Sequence, residues 1–211
     1  MNLSEYYWWF QKVIPQHICD DILKYGLAQK KQIASTFKYH RDLSKAPLTK
    51  GEYKDLKKTR DSHIVWMNDP WIYKEIHPYV HEANRNAGWN FQWDFTEACQ
   101  FTTYTKGQHY TWHCDDSSLP YNKPHWPNYH KKRRKLSMTL LLSDSKNFKG
   151  GELEFDFRNS DGKEPTIKKC TEVSEKGSLV VFPSFVWHRV RPVTQGTRHS
   201  LVAWNLGWPF Q

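Results

Sequence analysis

The alternation of apolar and polar positions divides the chain into an early part with helical spacing and a late part with strand spacing. Residues 8–14 read as an entry strand, and 15–26 as a helix in which Ile18, Ile22, Leu23 and Tyr25 recur at roughly helical spacing and Gly26 stands where a C-terminal cap would fall. Residues 42–60 are polar and lysine-rich, with Pro47 and Gly51, and read as a long mobile loop. Ser62–Met67 reads as a strand. A second helix starts at Pro70, repeats Ile72, Ile76, Val80 and Ala83 on one face, and stops near Asn86-Ala87-Gly88.

From Trp89 onward the period changes to two. Strands are expected at 98–105, 110–115, 136–142 and 150–157, then a hairpin turn at Arg158–Glu164 around Asp161-Gly162, and further strands at 166–173, 178–183 and 200–204. A long aromatic and proline-containing loop fills 117–134. Helices early and strands late predict an α+β fold, a two-sheet barrel with the N-terminal helices packed on one sheet. With no internal repeat and no low-complexity linker, residues 1–211 read as one domain, 1–95 as helical support with strands and 96–208 as the barrel core.

Two of these strands carry side chains that barrel packing alone does not call for. On an extended 110–115 segment, His113 and Asp115 share a face and Cys114 takes the other, against packed surface. His188 lies some seventy residues later, and Arg198 ten beyond it, with Gln195-Gly196 as a turn between them. An antiparallel hairpin there would return Arg198 beside the strand of His188. Two imidazoles and one carboxylate on neighbouring strands make the three-ligand face of a non-haem Fe(II) site, with positions left for a cosubstrate and O2. Arg198 adds a fork-shaped cation suited to a carboxylate, and Ser200 shares its strand face, so both can hold one end of a dicarboxylate.

These residues stand inside longer motifs. Tyr104-Thr105-Lys106-Gly107-Gln108-His109-Tyr110-Thr111-Trp112-His113-Cys114-Asp115 follows the pattern Y-x-x-G-Q-x-Y-x-x-H-x-D. Leu136–Asp144 followed by Gly150-Gly151-Glu152, and His188 to Arg198 as H-x-V-x-P-V-x-x-G-x-R, complete a set that resembles the prolyl 4-hydroxylase-like branch of the Fe(II)/2-oxoglutarate-dependent dioxygenases, most nearly the bacterial PKHD-type hydroxylases. The resemblance covers about residues 98–208 and extends more loosely over the N-terminal part. It implies a double-stranded β-helix (jelly-roll) core. It further implies His113, Asp115 and His188 as iron ligands, and Arg198 as partner of the C5 carboxylate of 2-oxoglutarate, assisted by Tyr104 and Ser200. Tyr110, Thr139 and Trp204 become candidates for substrate contact or for support of the site. Leu141 departs from the pattern, since many relatives carry a tyrosine there; Tyr104 and Ser200, or the hydroxyl of Thr139, would have to suffice.

The reaction so implied consumes Fe(II)-bound 2-oxoglutarate and O2, with ascorbate as a candidate reductant, releases succinate and CO2, and hydroxylates a prolyl residue of a protein or peptide. In relatives a loop just before the strand corresponding to Ser62–Trp66 closes over the peptide; residues 42–60 fill that place here, with 117–134 as an opposite wall. Three alternatives stay open: a small substrate such as a free amino acid, an alkylated nucleic acid, and a silent binding module of the same fold. Enzymes of the nucleic-acid kind carry a second arginine six residues after the first, and here that place is Trp204.

Composition changes little in this picture. The net charge is +9, and Lys131-Lys132-Arg133-Arg134-Lys135 reads as a solvated basic run, with an acidic protein surface or nucleic acid as the alternative partner. No stretch of about eighteen apolar residues predicts a membrane helix, the N-terminus lacks a signal core, and four scattered cysteines without a CxxC suit a reduced, cytoplasmic protein.

Overall fold

The architecture, from a computed structural model, is described for residues 3–39, 46–117, 119–157 and 166–209. In chain order the regular elements are β1 (Trp8–Phe10), α1 (Gln16–Ala28), β2 (Gln32–Ile33), α2 (Lys50–Thr59), β3 (Arg60–Asp61), β4 (His63–Met67), α3 (Pro70–Asn86), β5 (Phe95–Thr96), β6 (Cys99–Tyr104) and β7 (His109–His113). There follow β8 (Arg133–Leu141), β9 (Phe148–Gly150), β10 (Leu153–Phe157), β11 (Thr166–Lys169), β12 (Leu179–Pro183), β13 (Trp187–Val190), β14 (Val193–Gly196) and β15 (Arg198–Gly207).

Two antiparallel sheets organise the strands. The larger runs β1-β12-β8-β15-β6-β4-β2, with β5 also on β15; the smaller runs β11-β10-β13-β7-β3, and β14 pairs with β9 as a separate ribbon. Because side chains alternate across a strand, the larger sheet presents two different surfaces. One surface carries Phe101, Met138, Leu140, Leu179, Val181, Leu201 and Ala203, which share one buried apolar cluster with Cys19 and Ile22 of α1 and Ile72, Ile76, Val80 and Ala83 of α3. Fully burying each such Leu or Ile side chain contributes roughly 1.5–3 kcal/mol. The opposite surface contributes Val180 and Phe182 to a second cluster with Tyr7, Leu153, Phe155 and Phe157, which joins the two sheets at one end.

The helical periodicity in α1 and α3 holds, but Gly26 is not a cap. It lies inside α1, where an added Cβ would sit 2.7 Å from the Phe101 ring. The glycine is there so that the helix can approach the sheet.

Residues 46–60 contradict the mobile-loop expectation, and 42–45 lie outside the described residues. Thr49 caps α2, its hydroxyl accepting from the Glu52 N–H at 3.2 Å while the Glu52 carboxylate accepts from the Thr49 N–H at 2.9 Å. This reciprocal pair satisfies two otherwise orphaned donors, and Leu56 anchors the helix by burial. Lysine is also a good helix former, which a reading by polarity alone discounts.

The entry strand is shorter than expected, three residues, and the strand expected over 166–173 ends at Lys169 before a 3-10 turn at Thr171–Val173. The turn expected at Arg158–Glu164 lies outside the described residues. None of the described helices is long and apolar enough to cross a membrane, and no cysteine forms a disulfide.

The basic run is not a solvated strip. Strand β8 begins at Arg133, and Lys132 pairs with Asp94 at 2.7 Å, Arg133 with Asp116 and Arg134 with Glu97 at 2.7 Å. These positive charges pair with carboxylates of the same chain, because the chain enters the sheet three residues earlier than its apolar pattern indicates.

Candidate active site

His113 closes β7 and His188 sits in β13, and the two are direct cross-strand partners in the smaller sheet. Asp115 lies just past the end of β7, with its backbone N–H donating to the Ser184 carbonyl at 2.8 Å. The Nε2 atoms of His113 and His188 stand 3.8 and 3.6 Å from the two Asp115 oxygens, and the three ligand atoms lie within 4.8 Å of one another. The strand ends before residue 114, so strict alternation does not govern Cys114. Instead of facing packed surface it is half-buried in the wall of an outer groove, its thiol donating to the Asp116 carbonyl.

Three features fit this trio to a divalent cation. First, Nδ1 of His113 lies 2.8 Å from the Thr111 carbonyl and Nδ1 of His188 lies 3.0 Å from the Val186 carbonyl. A carbonyl can only accept, so each Nδ1 carries the proton and each Nε2 presents a lone pair to the centre. Second, burial and the neighbouring His188 keep the His113 pKa well below the ordinary histidine value, so its ring is neutral at neutral pH. Third, burial alone would raise the Asp115 pKa, but His188, His113, Arg134 and the 2.7 Å hydrogen bond from Ser137 outweigh it and bring it down to about 2. Two imidazoles that turn Nε2 to the centre and one ionised carboxylate are the donor set that suits Fe(II).

Arg198 opens β15 in the larger sheet, paired with Tyr104 at the end of β6. The hairpin expectation therefore fails. Strand β14 pairs with β9 instead, and Arg198 faces the ligands from the opposite sheet rather than from beside His188. Its guanidinium donates to Ser200 Oγ at 3.1 Å, lies 5.8 Å from the Tyr104 ring centroid, and has no ion-pair partner among the described residues. Burial pulls its pKa below the ordinary arginine value. Gly151 permits this seat: its φ is +66°, and a Cβ there would meet Arg198 Cδ at 2.8 Å.

A small cavity of about 40 Å3 joins these groups. All nine residues singled out in the sequence line it: His113, Asp115, His188, Tyr104, Arg198, Ser200, Tyr110, Thr139 and Trp204. Leu141, the departure from the pattern, is buried as the cross-strand partner of Ser200 and does not line it, whereas Thr139 two residues earlier on β8 does.

The cavity opens beside a groove of about 680 Å3 whose walls include Trp66, Glu97, Tyr121, Tyr129, Arg134 and Trp204. Here the sequence reading missed a motif. Arg134 donates to both Glu97 oxygens at 2.8 and 2.7 Å and stacks 3.9 Å from the Trp204 ring centroid, while Tyr121 donates to Glu97 at 3.1 Å. Plain alternation from Ser137 and Thr139 would turn Arg134 away from the site. Between Asn205 and Leu206 the pairing of β15 with β8 skips from Leu136 to Arg134, and this irregularity accompanies its return to the groove. Arg60 and Gln100 also line both spaces and carried no sequence signal of their own.

Comparison with known proteins agrees with this geometry. The sequence model of the 2OG-Fe(II) oxygenase superfamily matches residues 99–205. A PKHD-type hydroxylase of Parvibaculum lavamentivorans is 36% identical over 101 residues, 48% of this chain and 38% of that protein. One of Pseudoalteromonas atlantica is 36% identical over 107 residues, 50% of this chain and 41% of that protein. The chain thus aligns with about two-fifths of the length of these relatives. In fold it is similar to the viral collagen prolyl hydroxylase of Paramecium bursaria Chlorella virus-1 (TM-score 0.61, 16% identity, 96% of both chains). It is similar also to a Pseudomonas putida prolyl-4-hydroxylase (TM-score 0.60, 20% identity, 96% of this chain and 94% of that one). The jelly-roll fold is common to these neighbours. With the family's profile spanning half the chain, the chain belongs to the 2OG-Fe(II) oxygenase superfamily, and its similarities lie with PKHD-type hydroxylases and prolyl 4-hydroxylases.

Proposed function

We propose that this protein is an Fe(II)- and 2-oxoglutarate-dependent dioxygenase that hydroxylates a prolyl residue in a protein or peptide, with residues 1–211 acting as a single catalytic domain. His113, Asp115 and His188 would hold the iron, and Arg198, supported by Ser200 and Tyr104, would pair with the C5 carboxylate of 2-oxoglutarate. The bound iron and cosubstrate supply the oxidising chemistry, coupling decarboxylation to succinate and CO2 with insertion of oxygen into an unactivated C–H bond. The protein's own part is positional. Backbone carbonyls orient the two imidazoles, Ser137 donates to Asp115, and the apolar side chains of Leu153, Val190 and Val202 limit water around the site.

One observation carries the reading: a buried arginine without a carboxylate partner among the described residues stands in the same small cavity as a His–Asp–His trio whose Nε2 atoms converge. A dicarboxylate that chelates the ion with one end and meets Arg198 with the other fits both features. The prolyl substrate is supported by the names of the similar proteins, one of them a prolyl hydroxylase from Trichoplax adhaerens in complex with a peptide fragment, and by the aromatic groove at the mouth of the cavity.

Anaerobic titration with Fe(II) and 2-oxoglutarate tests the cofactor pair through the weak visible band of the chelate; mass spectrometry of proline peptides after admitting O2 tests the substrate. In Arg198→Ala the 2-oxoglutarate requirement should rise about 10- to 100-fold, the loss expected for a charge-assisted hydrogen bond to a buried carboxylate. An unchanged requirement would remove Arg198 from that role.

A further inference from the structure

Arg60 is a second buried arginine in the same chamber, and the cofactor reading leaves it without a counter-ion. It sits in β3 opposite Tyr110, is only 7% exposed, and lines both the inner cavity and the outer groove. Its Nε donates to Ser62 Oγ at 3.3 Å and one terminal nitrogen donates to the Ser35 carbonyl at 3.1 Å, both neutral acceptors. The guanidinium carbon lies 4.6 Å from the Tyr110 ring centroid. Among the described residues it forms no ion pair.

Among the charges that border the two spaces, Arg60 is the buried one that the cofactor reading leaves without a described counter-ion. Asp115 is committed to the metal, and both Glu97 oxygens accept from Arg134. Lys38 at the groove pairs with Asp55 at 2.6 Å. In the loaded site 2-oxoglutarate would bring two negative charges, one facing the iron and one facing Arg198. Arg60 then remains as a desolvated cation that no described group of the protein and no group of the cosubstrate neutralises, a costly arrangement unless a ligand supplies the anion. Lys123, which lines the same groove 4.9 and 4.7 Å from the Tyr121 and Tyr129 ring centroids, is likewise without an ion pair among the described residues.

We propose that Arg60 is a substrate-binding residue that receives a carboxylate of the substrate next to the carbon that is hydroxylated, so that the preferred substrate is an acid-bearing peptide. Two of the five guanidinium N–H groups are taken by Ser62 and Ser35, and the remainder offer the planar fork that matches a planar carboxylate. The overall charge of +9 favours encounter with such a partner. The proposal rests on the dioxygenase reading and narrows its substrate.

The test uses the anaerobic Fe(II)–2-oxoglutarate complex of the full chain and three pools of N-acetylated dipeptides with a randomised first residue. The second residue is aspartate amide, asparagine amide, or asparagine with a free C-terminal carboxylate. Binding is read as a shift of the visible band. The aspartate-amide or the free-carboxylate pool should bind about 10- to 100-fold more tightly than the asparagine-amide pool, and whichever of the two leads identifies the carboxylate as a side chain or a chain terminus. Arg60→Gln should abolish that preference with 2-oxoglutarate affinity unchanged, whereas Arg60→Lys, which keeps the charge, should retain part of it. Equal binding of acid and amide pools, no binding by any pool, or a loss of 2-oxoglutarate affinity in Arg60→Gln would overturn the proposal. Once O2 is admitted, a preferred acidic pool that gains oxygen on a residue other than proline would leave the carboxylate site standing and remove the prolyl reading instead. Absence of the band in the unaltered protein would remove the dioxygenase reading itself, and the proposal with it.

Discussion

The two surfaces of the larger sheet are made by the same strands and do opposite work. On the helix side, Cys99 and Phe101 of β6, Met138 and Leu140 of β8 and Leu201 and Ala203 of β15 fill space against α1 and α3. One residue over on each strand, the other surface presents Gln100 and Tyr104, Ser137 and Thr139, and Ser200 and Trp204 to the chamber. These polar groups are nearly as buried as their apolar neighbours, so each needs a partner. Gln100 donates to Thr102 at 2.9 Å and Ser137 to Asp115 at 2.7 Å, but the buried Trp204 indole N–H has no partner among the described residues. The helix side is filled by side chains of α1 and α3; the chamber side borders open space. That difference separates a packed face from one that can admit a ligand when both are buried.

The sharpest break between the two comes from one substitution on each side. Asp115→Ala should reduce Fe(II) binding and succinate formation to background, because the trio loses its only anion. Leu140→Ala, on the helix-facing surface of the larger sheet, should cost roughly 2–5 kcal/mol, at about 2–4 °C of melting temperature per kcal/mol for a chain of this size. The folded fraction of that variant should bind 2-oxoglutarate as before. Thermal melts and anaerobic titrations on both variants check the contrast; a Leu140→Ala protein that folds but no longer binds cosubstrate would show that the surfaces are not separable.

The same distinction explains what could be seen in the sequence. The period-two pattern and the motifs through His113, Asp115, His188 and Arg198 marked the chamber, and all nine residues picked from them line one cavity. What escaped was whatever broke a simple period or came from a distant stretch. The irregular pairing of β8 hid Arg134, and a lysine-rich composition hid α2 although its Thr49–Glu52 capping pair is written in the sequence. Arg60 and Glu97 carry no motif, and only the pairing of β3 with β7 and the ion pair with Arg134 bring them to the site. The 195–196 turn misled because strand partners are chosen by the whole sheet, and β14 found β9 rather than β13.

The smallest expected effect separates the two surfaces by their response to acid. His199 continues the helix-side row of β15, stacked on Phe101 with ring centroids 5.4 Å apart and with Nδ1 3.2 Å from Thr103 Oγ1. Burial, with Lys31 and Arg198 nearby, brings its pKa down to about 4. The unfolded chain takes up a proton at this residue near pH 6.5, whereas the native protein does so only near 4. Between those values the unfolded state holds the extra proton, so stability falls as pH falls, by up to about 1.4 kcal/mol per pH unit for this group. Above pH 6.5 its contribution is full and constant. On the chamber side Asp115 works in a lower window: its native pKa of about 2 lies below the ordinary carboxylate value of 3.8, so its contribution is intact down to roughly pH 4 and is lost only below it. Denaturant melts at pH 7 and pH 5 should therefore show His199→Gln losing less stability on acidification than the unaltered protein. Asp115→Asn should match the unaltered protein over that interval and diverge only in stronger acid. Equal losses for His199→Gln and the unaltered protein would mean that the helix side does not hold this histidine neutral, and that the acid response of the fold originates elsewhere.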